Sequence, residues 1–307
     1  MSGGVLVVDK PAGPTSFEVV LRVRRMLHAR KAGHTGTLDP LATGVLAICV
    51  DEAVKLQHYL TEGDKEYEAE VAFGAATDTE DAEGRVTERG DPAGLDAERV
   101  RAALPGLTGT ISQVPPMYSA VRVAGRRLHE AAREGREVER RPRSVQVHRL
   151  ELLRFRPSDG GLASATLRVR CGKGTYVRTL AADLGRALGV PAHLAGLRRT
   201  AAGPFTLAGA VTLAEAEALA AAGPEPLRAR LLAPAEALAF LPAVPLEPGQ
   251  ARELAHGRAV AAPAPAGLCR ALAPDGSLLA ICFADAGGTV RPVRVLSPAG
   301  QREKREA

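Results

Sequence analysis

A single acidic residue stands in a loop of glycines and threonines. The run Gly33-His34-Thr35-Gly36-Thr37-Leu38-Asp39-Pro40-Leu41-Ala42-Thr43-Gly44 leads directly into the apolar stretch Val45-Leu46-Ala47-Ile48-Cys49-Val50. Loops placed by a rigid scaffold carry function more often than core positions do. A carboxylate held there can serve as a nucleophile or a base. Asp39-Pro40 is also an ordinary turn pair, because Asp bonds its own backbone in turns. That pair alone favours the turn, and the residues of the loop leave both readings open.

Other chemistry is bounded by what the chain offers. Gly172-Lys173-Gly174-Thr175 sets a lysine in a glycine turn, but fits neither the phosphate-loop nor the dinucleotide fingerprint, which argues against ATP and NAD. Cys49, Cys171, Cys269 and Cys282 form no C-x-x-C pair. They read as buried free thiols in a reducing compartment, not as zinc ligands or disulfides. Lys+Arg exceed Asp+Glu by 40 to 35, a modest excess, so the placement of charge matters more than its sum. Most of the cations are Arg, which suits planar contact with phosphate.

The basic residues gather in two places. Arg22, Arg25 and His28 share the polar face of an expected helix, and Arg30 and Lys31 follow it into the Asp39 loop. Arg122, Arg126, Arg127, Arg133, Arg136, Arg140, Arg141 and Arg143 form a dense excursion around an expected short helix near Leu128 to Glu134. A phosphate backbone is the natural partner of such a surface. Interspersed Glu130, Glu134, Glu137 and Glu139 also fit a plain solvated face.

The elements that must position these groups follow from periodicity. Gly4 to Val8 reads as a buried strand and Lys10-Pro11-Ala12-Gly13-Pro14 as a rigid turn. Thr15 and Glu18 make a capping-box signature before Val19, Val20, Val23, Met26 and Leu27 at helical spacing. Glu66 to Phe73 alternates, with Tyr67, Ala69, Val71 and Phe73 on one side, as a half-buried strand does. Thr77 to Glu88 reads as an acidic loop, and Asp96 as the cap of a helix through Leu104. Val145 to Phe155 and Ala165 to Cys171 read as strands. Tyr176 opens a helix to about Leu188, and a further helix is expected near Ala214–Ala222. After Pro242, short strands and turns suggest a small β-barrel. The N-terminus has no signal-peptide pattern, and no apolar run is long enough to span a bilayer. The expectation is a soluble, cytoplasmic protein without a membrane partner.

Taken together, Lys10-Pro11-x-Gly13-x-Thr15-Ser16, the Gly33–Gly44 run, Lys65-x-Tyr67, Gly172-Lys173-Gly174-Thr175-Tyr176-Val177-Arg178 and Leu197-Arg198-Arg199 resemble the bacterial TruB-type tRNA pseudouridine-55 synthases. The likeness runs from about Gly4 to Phe205 and continues, on pattern, into a PUA-like segment. It implies an α+β pseudouridine synthase fold with a mixed, largely antiparallel sheet. It also implies a catalytic domain over residues 1–240 with a basic thumb near 113–146, and a PUA-like RNA-binding barrel over residues 241–307.

The resemblance implies the chemistry as well. The substrate is the uridine in the T-loop of tRNA, in its T-stem-loop, and the N1–C1′ bond is exchanged for a C5–C1′ bond without metal or cofactor. Asp39 is the implied catalytic carboxylate, and Arg178 the cation that keeps it ionised. The base must be flipped out of its stack. Tyr67 then stacks on it, Tyr176 and Leu197 line its pocket, and His34 fills the gap in the RNA. Lys10 supports the loop or a phosphate. A monomer is implied. Read from their own positions, Tyr67, Tyr176 and Leu197 fit plain core, Arg178 a surface helix and His34 an incidental loop residue. A non-catalytic RNA-binding or folding protein and a base-releasing glycosidase are the competing functions.

Overall fold

The computed structural model describes residues 3–117, the backbones of Arg122–Val123 and Arg126–Arg127, and residues 140–296. The helix expected at Leu128 to Glu134, the side chains of Arg122, Arg126, Arg127, Arg133 and Arg136, and the tail 301–307 lie outside the described residues. The chain divides into two compact units. One contains Met1–Asp39, Val45–Thr61 and Pro204–Ala307; the other contains Pro40–Gly44 and Glu62–Gly203.

In the first unit, β1 (Gly4–Lys10) lies between β3 (Thr43–Val50) and a short strand at Val211–Thr212. The run from Val45 to Val50 is buried throughout, as befits an interior strand with apolar residues on both faces. β2 (Ala32–His34) pairs antiparallel with it. Between β1 and β2, α1 (Ser16–Met26) starts at the expected capping box. The Glu18 N–H donates to Thr15 Oγ1 at 3.2 Å, and the Thr15 N–H donates to Glu18 Oε2 at 2.7 Å. Exchanging two otherwise orphaned donors in this way is worth about 1 kcal/mol. The helix buries Val19, Val20 and Val23. It ends where His28 takes a left-handed backbone, φ 48°, a conformation that closes a helix.

The C-terminal part of this unit carries a five-stranded sheet in the order Ala243–Pro245, Gly267–Leu272, Leu278–Ala284, Thr289–Val295, Val260–Ala261. A helix, Pro248–Ala255, sits where only strands and turns were expected. Pro248 presets its first turn, Gln250 Oε1 accepts from the Glu247 N–H at 2.9 Å, and Leu254 seals it into the apolar cluster of Val244, Cys269, Ala280 and Val290. Eight residues are too few to print a clear period.

The second unit is built on five antiparallel strands in the order β12 (Ala192–Ala202), β4 (Lys65–Phe73), β11 (Ala163–Cys171), β10 (Arg143–Arg156), β7 (Gly109–Gln113). Thr43 and Gly44, at the start of β3, pair in parallel with it, through Arg198 and Arg199. The sheets are thus mixed and largely antiparallel, and the class is α+β. Tyr67, Ala69, Val71 and Phe73 line the buried face of β4, while Glu68 on the other face lies between Arg168 and Arg198 in register. α2 (Ala97–Ala103) is capped by Asp96. α3 (Val177–Leu188) begins after Tyr176 and ends at Gly189, φ 70°.

The segment expected to be a plain acidic loop is instead a folded turn. β5 (Ala75–Thr77) and β6 (Val86–Arg89) pair around it. Its Asp81 is 3% exposed. The Leu194 N–H donates to the Glu80 carbonyl and the Ala82 N–H to the Leu194 carbonyl, both at 3.0 Å. Backbone bonding to β12, which acidic composition does not reveal, is what orders it.

Candidate active site

Asp39 is half-buried and ends the first segment of the first unit. The residue before it is held by one side chain. Ser16 Oγ donates to the Leu38 carbonyl at 2.8 Å and accepts from the Leu38 N–H at 2.8 Å. Pro40, directly after, confines Asp39 to extended conformations. The carboxylate is therefore presented from a fixed backbone and not from a free loop.

His34 ends β2 instead of lying in the loop. It pairs with Ile48, and the Thr35 N–H beyond it donates to the Ala47 carbonyl at 3.0 Å. Gln57 Nε2 donates to the His34 carbonyl at 2.6 Å. The Gly36 N–H donates to His34 Nδ1 at 3.3 Å. This bond needs an unprotonated Nδ1, so the neutral ring carries its proton on Nε2. Gly33 leaves room for Gln57, whose Oε1 would lie 2.5 Å from an added Cβ.

In the second unit the chain resumes at Pro40–Gly44. Gly44 has φ +102°, and an added Cβ would overlap the Arg199 carbonyl and lie 2.8 Å from its nitrogen. Only glycine lets the two backbones pass this closely. Tyr67 pairs with Val169 and Arg199, and Leu197 with Ala69. Residues opposite each other across antiparallel strands point the same way. Tyr67, Leu197 and Arg199 thus share one face, with Tyr67 9% and Arg199 2% exposed.

Tyr176 and Arg178 stand at the start of α3. Gln113, 2% exposed, grips the Tyr176 backbone from both sides. Its Oε1 accepts from the Tyr176 N–H at 3.1 Å and its Nε2 donates to the Tyr176 carbonyl at 3.3 Å. Arg178 is buried, not a surface cation. Its Nη1 lies 3.4 Å from Asp81 Oδ2 and donates to the Thr79 carbonyl at 3.1 Å. Asp81 Oδ1 accepts in turn from Thr79 Oγ1 at 2.6 Å and from the Glu83 N–H at 3.1 Å. Next to it, Thr179 Oγ1 donates to Glu80 Oε2 at 2.7 Å. Burial pushes the Glu80 carboxyl above its ordinary range, against the pull of that bond and of Arg178 and Arg186.

The first unit thus holds Asp39 and His34, and the second holds Tyr67, Tyr176, Arg178 and Leu197. Sequence reasoning missed Asp81, Gln113 and the grip of Ser16. Lys10 is fully buried and donates to the Pro11 carbonyl at 2.9 Å, so it supports its turn and presents no surface to a phosphate. Arg24, Arg25, Arg30 and Lys31 are exposed, and no acidic residue occurs from Arg24 to Leu38. Among the described residues, no group of three or more His, Cys, Asp or Glu is arranged to hold a metal ion. No helix among them is long and apolar enough to cross a membrane. All four cysteines are buried free thiols. Desolvation pushes Cys49 up to about 12 and Cys171 to about 11.

Comparison with known proteins places the chain in a family. Residues 24–177 match the TruB family pseudouridylate synthase N-terminal domain, residues 178–239 the tRNA pseudouridylate synthase B C-terminal domain, and residues 241–297 the tRNA pseudouridine synthase II C-terminal domain. The chain is 49% identical to the tRNA pseudouridine synthase B of Aromatoleum aromaticum, over 96% of this chain and 92% of that one. It is 53% identical to the enzyme of that name from Symbiobacterium thermophilum, over 84% and 83%. Among solved structures, a chain of a Cbf5-Nop10-Gar1 complex superposes with a TM-score of 0.73 at 27% identity, covering 96% of this chain and 85% of that one. The class defined by fold and sequence is that of the pseudouridine synthases, which are isomerases. The chain belongs to the TruB family.

Proposed function

We propose that this chain converts the T-loop uridine at position 55 of tRNA into pseudouridine, with Asp39 as the catalytic carboxylate. The observation that carries this reading is the Asp39 loop of a TruB family chain, in which the acid sits half-buried on a backbone fixed by Ser16 and Pro40. An ionised carboxylate frees uracil from the ribose by attack at C1′ or by acting as a base on the sugar. Either route breaks the N1–C1′ bond. The retained uracil turns, C5 bonds to C1′, the C5 proton leaves and N1 gains one. The reaction is an isomerisation and balances without oxidant, nucleotide or metal.

The other residues take roles around that step. The uridine is flipped from its stack, Tyr67 stacks on the base, and Tyr176 and Leu197 line its pocket. His34 fills the space left in the RNA loop. Arg178, set by Asp81 and the Thr79 carbonyl, supplies the positive charge that favours an ionised Asp39. Residues 1–240 form the catalytic domain with a basic thumb near 113–146, and residues 241–307 an RNA-binding barrel. The acid-free strip from Arg24 to Lys31 meets the phosphates of the stem. The enzyme works as a cytoplasmic monomer on the T-stem-loop. Nucleoside analysis of treated tRNA tests the reading: one T-loop uridine should be replaced by pseudouridine in an intact chain. Abasic tRNA would identify a glycosidase, and unchanged tRNA a binder.

A further inference from the structure

Ser16 lies far from Asp39 in sequence, yet it controls the peptide that carries it. The Leu38 carbonyl and the Asp39 N–H belong to one planar peptide group. By donating to that carbonyl, Ser16 Oγ fixes the plane from which the Asp39 side chain departs. By accepting from the Leu38 N–H, it fixes the preceding plane as well. Both bonds are buried, with Ser16 2% and Leu38 3% exposed, so water does not replace them when they are lost.

Ser16 is itself anchored. It is the first residue of α1, directly after the Thr15 cap, and the box with Glu18 holds that turn. A serine in the first turn of a helix commonly serves the helix's own orphan donors. Here Thr15 does that work, and the Ser16 hydroxyl is spent wholly on a residue 22 positions away. Pro40 restrains Asp39 from the other side.

We propose that Ser16 is a positioning residue for the isomerisation, aiming the Asp39 carboxylate by clamping both peptide groups of Leu38. This rests on the reading of Asp39 as the catalytic carboxylate. Small displacements of a reacting group are costly, with about 1 Å worth on the order of 100-fold in rate.

The test is single-turnover pseudouridine formation at saturating tRNA, with tRNA affinity and thermal unfolding measured on the same samples. Ser16→Ala should slow the chemical step about 10- to 100-fold at temperatures where the variant is fully folded, with unchanged affinity. Ser16→Cys, which keeps a weak donor and acceptor at the same place, should fall between. A wild-type rate in folded Ser16→Ala overturns the proposal, as does a loss that tracks only the unfolded fraction. If Ser16→Ala does not fold, Ser16→Cys decides by the same criterion. Asp39→Asn run alongside separates the two claims. An inactive Asp39→Asn with a fully active Ser16→Ala refutes the role of Ser16 alone, whereas an active Asp39→Asn refutes the catalytic reading itself.

Discussion

Removing Asp81 should be among the most damaging single changes in the second unit. The Arg178–Asp81 pair is buried, with side chains 6% and 5% exposed and 3.4 Å between Nη1 and Oδ2. Deleting one partner of such a pair costs about 3–5 kcal/mol, because a desolvated charge is left behind. Asp81→Ala also removes the acceptor of Thr79 Oγ1 and of the Glu83 N–H. These losses overlap with the charge term and do not simply add. Asp81→Asn keeps an oxygen for Thr79 Oγ1 and the Glu83 N–H but turns an amide NH2 toward Arg178, so it loses the charge and the acceptor there. Its cost should be about 3 kcal/mol, the low end of that range. For a chain of this size each kcal/mol lowers Tm by roughly 1.5–2 °C, so urea unfolding, supported by thermal unfolding, compares the two variants. The Asn variant, folded at assay temperature, should slow single-turnover chemistry without weakening tRNA binding, since Arg178 is then less firmly held. An Asp81→Ala protein within about 1 kcal/mol of the parent would show that the pair has the weight of an exposed ion pair, and the argument would fail.

Gly44→Ala combines a forbidden φ with overlap on the Arg199 backbone and should cost about 2–6 kcal/mol in urea unfolding; a smaller loss would mean that β3 and β12 part easily. Replacing Arg24, Arg25, Arg30 and Lys31 by Ala should flatten the dependence of log affinity for tRNA on log salt, by roughly 0.9 for each side chain that meets a duplex phosphate. An unchanged slope would return that strip to ordinary solvated surface. Glu80 has its folded-state pKa raised by burial, so the folded protein holds this proton more tightly than the unfolded chain. Its contribution to stability therefore falls as pH rises from the ordinary carboxyl range through the raised value. Glu80→Gln should remove that slope from a plot of unfolding free energy against pH; a parallel plot for the variant would contradict the assignment.

What could be read from the sequence was what neighbours in sequence decide. The Thr15–Glu18 cap, the alternation of β4 and the helix opening at Tyr176 are each set by residues within a few positions of one another. The Asp39 loop stood out because its types and spacing are unusual together. The supports of the site were hidden because each spans a long separation. Gln113 and Tyr176 lie 63 positions apart, and Thr79 and Arg178 lie 99 apart. No local period records a side chain that bonds a distant backbone. Arg178 alone looked like a surface cation because its counterion sits in a segment whose acidity resembled a solvated loop. Asp81 becomes legible only once β12 has folded back to order that turn. Ser16 was visible within a motif, but its grip on Leu38 was not, since a serine beside a capping threonine looks like part of the cap.

The central claim is that the carboxylate of Asp39 does the chemistry. The most direct measurement follows tritium released from tRNA labelled at C5 of uridine, for the parent chain and for Asp39→Asn, with tRNA binding measured in parallel. The parent should release one tritium for each pseudouridine formed and leave the RNA chain intact. Asp39→Asn should bind tRNA as the parent does and release tritium at least ~100-fold more slowly. Release by the Asn variant at a rate close to the parent's would contradict the account.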